Sequence, residues 1–134
     1  MKMKYLLLVM LAALLFVLIG CAFAKKAENK AEYTRISQEE AKEMMARDDG
    51  HVIVDVRRQN EYDAGHIPGA ILIPNETISG NSPEALPDYD QIILVYCRSG
   101  NRSKQASEKL AAMGYKNVYE FGGINSWTGE IVTD

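Results

Sequence analysis

Seven consecutive residues, Cys97-Arg98-Ser99-Gly100-Asn101-Arg102-Ser103, bring together a thiol, two guanidinium groups, two hydroxyls and a glycine. They follow an unbroken apolar run, Ile92-Ile93-Leu94-Val95-Tyr96, and precede a helix-like pattern. In an open parallel sheet such a strand-to-helix turn is where ligands bind, because the first turn of the helix offers free N–H groups and a partial positive charge. Gly100 allows the turn to curl so that several N–H groups converge as an anion nest. Arg98 and Arg102 add fixed positive charge. A free thiol with a pKa near about 8.5 is only about 3% ionised at pH 7, and lowering that value by about two units stabilises the thiolate by about 2.7 kcal/mol. The expected chemistry is therefore nucleophilic attack by a Cys97 thiolate on an anion held in the same cradle. An inert cysteine closing a strand is the plainer alternative, but it does not account for two arginines and a glycine at this position.

The elements that must position this turn are legible in outline. Tyr33–Ile36 is a predicted short strand, and Ser37-Gln38-Glu39-Glu40 is a capping-box pattern that starts a helix through about Arg47, with Ala41, Met44 and Met45 on its apolar side. Val52–Val56 and Ile92–Tyr96 read as strands covered on both faces, Ala70–Ile73 as a shorter one closed by Pro74, and Val118–Phe121 as another. Ser103–Met113 reads as a helix with Ala106, Leu110 and Met113 on one face and Gly114 as its stop. Residues 74–90, with Gly80, Pro83 and Pro87, show no period; they are expected to hold a functional loop or short helix, with a turn at Glu84–Leu86. Alternating strands and helices imply an α/β domain with a mainly parallel sheet.

Composition narrows the function classes. With 134 residues, 47% hydrophobic and 25% charged, the chain is neither disordered nor low-complexity and suits one globular domain. A net charge of −3 without a basic run leaves no electrostatic case for nucleic-acid binding. Two cysteines, Cys21 and Cys97, exclude a disulfide scaffold.

Lys2 and Lys4 precede an uncharged apolar stretch from Tyr5 to Ile19 that ends in Gly20-Cys21, the layout of a secretory signal. Leu18-Ile19-Gly20-Cys21 resembles the lipobox of bacterial lipoproteins, which implies a signal peptide over residues 1–20 and a lipidated Cys21 as membrane anchor. An uncleaved signal-anchor helix is the alternative, since about twenty apolar residues can span a bilayer, although Lys25 and Lys26 beyond it weaken that orientation. Either reading expects the domain at the cell envelope, facing the periplasm or the exterior. Residues 21–32 then form the lipidated cysteine and a tether, and 33–134 the domain. Without Lys2 and Lys4, 13 basic residues face 18 acidic ones, a charge of −5.

Three stretches carry a family resemblance: Tyr96–Ser103, the run Asp55-Val56-Arg57-Arg58-Gln59-Asn60-Glu61-Tyr62-Asp63-Ala64-Gly65-His66-Ile67-Pro68-Gly69-Ala70, and Gly114–Trp127. In this order they resemble the rhodanese-family sulfurtransferases and span nearly all of residues 33–134. The resemblance implies a three-layer domain, a five-stranded parallel sheet with helices on both faces. It also implies that Cys97 is the nucleophile and carries sulfur as a persulfide. The backbone of Arg98, Ser99, Gly100, Asn101, Arg102 and Ser103 would embrace the outer sulfur, while Arg98 and Arg102 attract thiosulfate or a related anion. A thiophilic acceptor, cyanide or a thiol, then takes the sulfur, and no metal or other cofactor is implied. The alternative is a persulfide carrier with little turnover that delivers sulfur to an unidentified acceptor protein. Related phosphatases and arsenate reductases separate cysteine and arginine by five residues; here four separate Cys97 from Arg102, which suits a single sulfur atom better than a tetrahedral oxyanion.

Asp55 and Arg57 stand at the end of a central strand, on the same sheet edge as Cys97; they are expected either to reach the active loop or, preferably, to hold its shape. Glu61 is expected to pair locally with an arginine, His66 to make a structural hydrogen bond, and His51 to carry no function. Phe121 and Trp127 either wall the pocket or, preferably, pack in the core.

Overall fold

The computed structural model describes residues 3–6, 9–10 and 32–133. The chain divides into two compact units, Met1–Lys30 and Ala31–Asp134. In the first, residues 3–6 and 9–10 are helical, and no helix among the described residues is long and apolar enough to cross a membrane. Cys21 and the lipobox lie outside the described residues.

The second unit holds a five-stranded sheet, β1 (Thr34–Arg35), β2 (Val52–Asp55), β3 (Ile71–Leu72), β4 (Ile92–Cys97) and β5 (Asn117–Gly123), with three α-helices, α1 (Gln38–Met45), α2 (Gln59–Ala64) and α3 (Asn101–Ala112). The strand order is β1-β5-β4-β2-β3 and every pairing is parallel. This is the α/β architecture expected, with β4 between β5 and β2 at the centre. The capping box forms as read: the Ser37 hydroxyl accepts the Glu40 N–H at 3.1 Å and the Glu40 carboxylate accepts the Ser37 N–H at 2.9 Å. The helix that it starts ends at Met45, one residue before its cap Ala46 and earlier than the pattern suggested.

Alternation along the strands splits the core in two. Val54, Ile93, Val95, Cys97 and Val118 pack with Ala106 and Leu110 of α3, whereas Ile53, Leu94, Tyr96 and Phe121 pack with Ala41, Met44 and Met45 of α1 and Tyr62 of α2. Cys97 therefore faces α3. Residues 74–90 contain a short 3₁₀ turn, Asn75–Thr77, and a turn closed by the Leu86 N–H on the Pro83 carbonyl at 3.0 Å. Ile78 and Leu86 are fully buried against the α3 side, and the Tyr115 hydroxyl donates to the Leu86 carbonyl at 2.5 Å. The segment thus buttresses the core, and its lack of period reflects two isolated apolar anchors.

Candidate active site

Strand β4 ends at Cys97 and helix α3 begins at Asn101, so only Arg98, Ser99 and Gly100 make the turn. The helix starts two residues earlier than its pattern suggested because Gly100, at φ +110°, caps it in a left-handed conformation. Its N–H donates to the Cys97 Sγ at 3.0 Å, and the thiol is 1% exposed. The N–H groups of Asn101, Arg102 and Ser103 belong to the first helical turn, which has no carbonyl four residues back to bind. Of the N–H groups expected to converge on the sulfur, that of Gly100 is bonded to it.

The loop rests directly on β5. A register shift between Val95 and Cys97 places Gly123 opposite Cys97, and Gly122, at φ +92°, takes up the extra residue on β5. A Cβ on Gly123 would lie 2.0 Å from the Arg98 carbonyl oxygen, so this contact is backbone on backbone. The Arg98 carbonyl also accepts the Asn125 N–H at 3.1 Å.

The two arginines behave differently. Arg98 is exposed, while the Arg102 guanidinium grips Glu61 through two bonds of 2.7 and 2.8 Å. Glu61 also accepts the Arg58 N–H at 3.0 Å. Its pair with Arg102 is therefore long-range, 41 residues apart, and not the local contact expected. The Arg102 bonds hold the Glu61 carboxyl down to about 2, against burial, which acts the other way, and the same carboxylate raises Arg102. Arg58, Asn60, Glu61, Arg98 and Arg102 line a cavity of about 380 Å³. Arg58 and Asn60, which sequence reasoning did not single out, stand only a few positions from Glu61 in the motif that did stand out. Arg102 is paired with Glu61 and the exposed Arg58 lies 3.8 Å from Glu76, so Arg98 is the arginine of this cavity that faces no carboxylate among the described residues.

The folded value of Glu61 lies below its ordinary 4.5, so the ion pair contributes stability above that pH and loses it as pH falls towards 2. Glu61→Gln is expected to cost about 1 kcal/mol at pH 7, a figure reduced for partial solvent exposure. Urea unfolding of the two proteins should show this gap narrowing as pH is lowered from 4.5 towards 2.

Asp55 and Arg57 are gathered elsewhere. Both are buried, with Arg57 Nη2 on Asp55 Oδ2 at 2.7 Å and on the Gly65 carbonyl at 2.6 Å. The Tyr96 hydroxyl donates to Asp55 Oδ2 at 2.7 Å and accepts the Ile67 N–H at 3.1 Å. Burial first, and then the neighbouring Asp55, pushes the Tyr96 hydroxyl well above its ordinary value. Asp55 pairs in register with Tyr96, whose ring packs on the α1–α2 side, the face opposite to Cys97. The cluster thus ties the end of β2 to the Gly65 turn and to the residue preceding Cys97. His66 sits in the same turn, with Nδ1 2.9 Å from the Tyr62 carbonyl and its ring stacked on Tyr62. His51 pairs with Asp49. Phe121 is buried and Trp127 packs on it at 5.6 Å, so both serve the core on the α1 side.

One buried group escaped the sequence reading. Glu120, fully buried on the α3 face of β5, accepts the Ser103 hydroxyl at 2.7 Å and the Gly122 N–H at 2.8 Å. Its only signal in the sequence is an acid two residues after Val118 in an otherwise apolar strand, a spacing that places both side chains on one face.

This fold, with a buried cysteine cradled at the head of a helix beside an arginine-lined cavity, has a match along most of the chain. Residues 37–130 match the rhodanese-like domain, and the chain belongs to that family. Thiosulfate sulfurtransferase GlpE of Pseudomonas entomophila is 39% identical over 98 residues, covering 72% of this chain and 86% of its own. The putative sulfur carrier protein YrkF of Bacillus subtilis is 34% identical over 105 residues, 78% of this chain and 56% of that protein. Among solved structures, a rhodanese of Escherichia coli with anions superposes with a TM-score of 0.58 at 34% identity, over 63% of this chain and 99% of that one. A rhodanese-related protein of Thermoplasma volcanium gives 0.64 at 28% identity, over 76% and 100%.

Proposed function

We propose that this protein is a sulfurtransferase that moves sulfane sulfur from thiosulfate or a related anion to cyanide or a thiol through a persulfide on Cys97. The observation that carries the reading is the Gly100 N–H directed at the Cys97 Sγ at 3.0 Å, at the head of α3. The Cys97 thiolate attacks the sulfane sulfur, the sulfur–sulfur bond to sulfite breaks, and sulfite leaves with its electron pair. The acceptor then attacks the outer sulfur of the persulfide and returns Cys97 as thiolate. Arg98 and Arg58 favour approach of the anionic donor, and Arg102 is held in place by Glu61. Likeness to a thiosulfate sulfurtransferase over most of that protein's length supports the choice of donor. Thiosulfate and cyanide supplied together should yield thiocyanate, with Cys97 carrying one added sulfur when cyanide is omitted. Likeness to a putative sulfur carrier favours a second reading, in which Cys97 is loaded but releases sulfur only to a partner protein. Loading without thiocyanate formation would select it.

The same proposal places the domain at the cell envelope through a lipid on Cys21, supported by Lys2, Lys4, the apolar run and Leu18-Ile19-Gly20-Cys21. Mass spectrometry of protein from bacterial membranes is expected to find Cys21 as the N-terminal, acylated residue. An intact Met1 terminus would overturn that placement.

A further inference from the structure

Beneath the Cys97 loop runs a short chain of polar atoms. The Cys97 thiol donates to the Ser103 Oγ at 3.4 Å, and that hydroxyl lies 2.7 Å from Glu120 Oε1, 3.0 Å from the Gly100 carbonyl and 3.3 Å from the Gly122 carbonyl. Ser103 has one hydrogen to donate, and the carboxylate is both the nearest and the strongest acceptor. With its hydrogen on Glu120, Ser103 turns a lone pair towards the sulfur. All three side chains are essentially inaccessible to solvent, with exposures of 1%, 0% and 0%.

We propose that Glu120 is a positioning residue that takes up the Cys97 thiol proton through Ser103. The proposal rests on the reading of Cys97 as the nucleophile. In the transfer the thiol S–H and the Ser103 O–H bonds break, the thiol proton re-forms the Ser103 hydroxyl, and the former hydroxyl proton passes to Glu120 Oε1. The negative charge moves from carboxylate to sulfur, no electrons are exchanged with any other group, and no proton leaves the protein. The Ser103 hydroxyl can then donate to the thiolate, which the Gly100 N–H already faces. Glu120 is suited to receive a proton because its second oxygen, Oε2, is buried and has no hydrogen-bond partner among the described residues. An anionic carboxylate left half-satisfied in the interior is costly, and protonation relieves that cost.

The groups around the relay come from each element packed against it. Arg35 of β1 places Nε 3.8 Å from Glu120 Oε2, and Tyr33, just before β1, feels the Glu120 charge and that of Glu108 on α3. Cys97 approaches from β4, Ser103 from α3 and the Gly122 N–H from β5 itself, and Arg102 of α3, paired with Glu61, is the guanidinium that feels the charge of Cys97. Arg35 is largely exposed, so it moderates the carboxylate charge without neutralising it.

The test is alkylation of Cys97 by iodoacetamide in the full-length chain, quantified by mass spectrometry of the Cys97 peptide across the acid-to-neutral range. A thiol that ionises only by release to solvent loses reactivity about tenfold per pH unit below its midpoint. An internal transfer leaves a pH-independent plateau there, since the pair shares one proton. In the wild type that plateau is expected, with reactivity about two pH units below the midpoint at least ~5-fold above that of Glu120→Gln. Ser103→Ala, which takes from both carboxylate and thiolate the hydroxyl that bonds them, should change the height of the plateau with Glu120 intact, and Ser103→Thr, which keeps the hydroxyl, should retain the wild-type height. A plateau surviving in Glu120→Gln, or one of unchanged height in Ser103→Ala, would overturn the relay. So would a wild type without a plateau, or a Glu120→Gln profile of unchanged shape displaced to lower pH, the mark of a buried charge alone. Should Glu120→Gln fail to fold, the Ser103 pair decides. No sulfur donor is present, so a wild type inactive in sulfur transfer would overturn the sulfurtransferase reading while leaving this result to stand.

Discussion

Cys97→Ser is expected to reduce thiocyanate formation by about 1,000-fold or more, to the level of the uncatalysed reaction. The reason is chemical. An alkoxide is hardly accessible near neutral pH, and an oxygen cannot carry the outer sulfur as a persulfide. The fold should tolerate the change, because a serine Oγ in the same place still accepts the Gly100 N–H and loses little volume against Ala106 and Val95. Thermal melting within a few degrees of the wild type, together with loss of both sulfur loading and turnover, is the expected pair of results. Thiocyanate formation that survives the substitution would remove Cys97 from the mechanism.

Gly123→Ala should damage the same site without touching a reactive atom. The added methyl would lie 2.0 Å from the Arg98 carbonyl oxygen, 2.4 Å from its carbonyl carbon and 2.6 Å from the Ser99 nitrogen, and all three are backbone atoms. No side-chain rotation can relieve the overlap. The backbone of Gly123 itself is ordinary extended strand, φ −132° and ψ 154°, so the requirement for glycine comes from close approach and not from conformational freedom. The Cys97–Gly100 turn must lift away from β5, carrying the Gly100 N–H off the sulfur. Overpacking of this kind costs about 3 kcal/mol, and a displacement of about 1 Å at a reacting centre is enough for roughly a 100-fold loss in rate. Urea unfolding and the thiosulfate–cyanide assay measure the two effects separately. Wild-type activity in this variant would show that the loop does not depend on its contact with β5.

Local physics made much of this molecule readable in advance. The run from Ile92 to Tyr96 could be little other than a buried strand, and Ser37 with Glu40 announces a helix start at a spacing that only a capping box explains. Helix α2 was not legible, because six residues with none buried have no apolar period to display. Helix α3 starts at Asn101 and not at Ser103, because Gly100 forms its cap while the Ser103 hydroxyl reaches sideways to β5.

What the sequence determined by itself was the make-up of the candidate site: a cysteine, a glycine and two arginines within seven residues, between a buried strand and a helix. Such features are local, because they depend on φ, ψ and the spacing of neighbours along one turn. What the tertiary structure decided was who meets whom across the sheet. Glu61 reaches Arg102 over 41 residues, and Glu120 reaches Ser103 over 17. Asp55, for all its position at the same sheet edge as Cys97, was sent to the opposite face with Tyr96. Strand alternation allots each side chain to one face or the other, and the register between strands chooses its neighbour there. A single extra residue on β5 sets Gly123 against Cys97, and no pattern along one strand reveals the register of another.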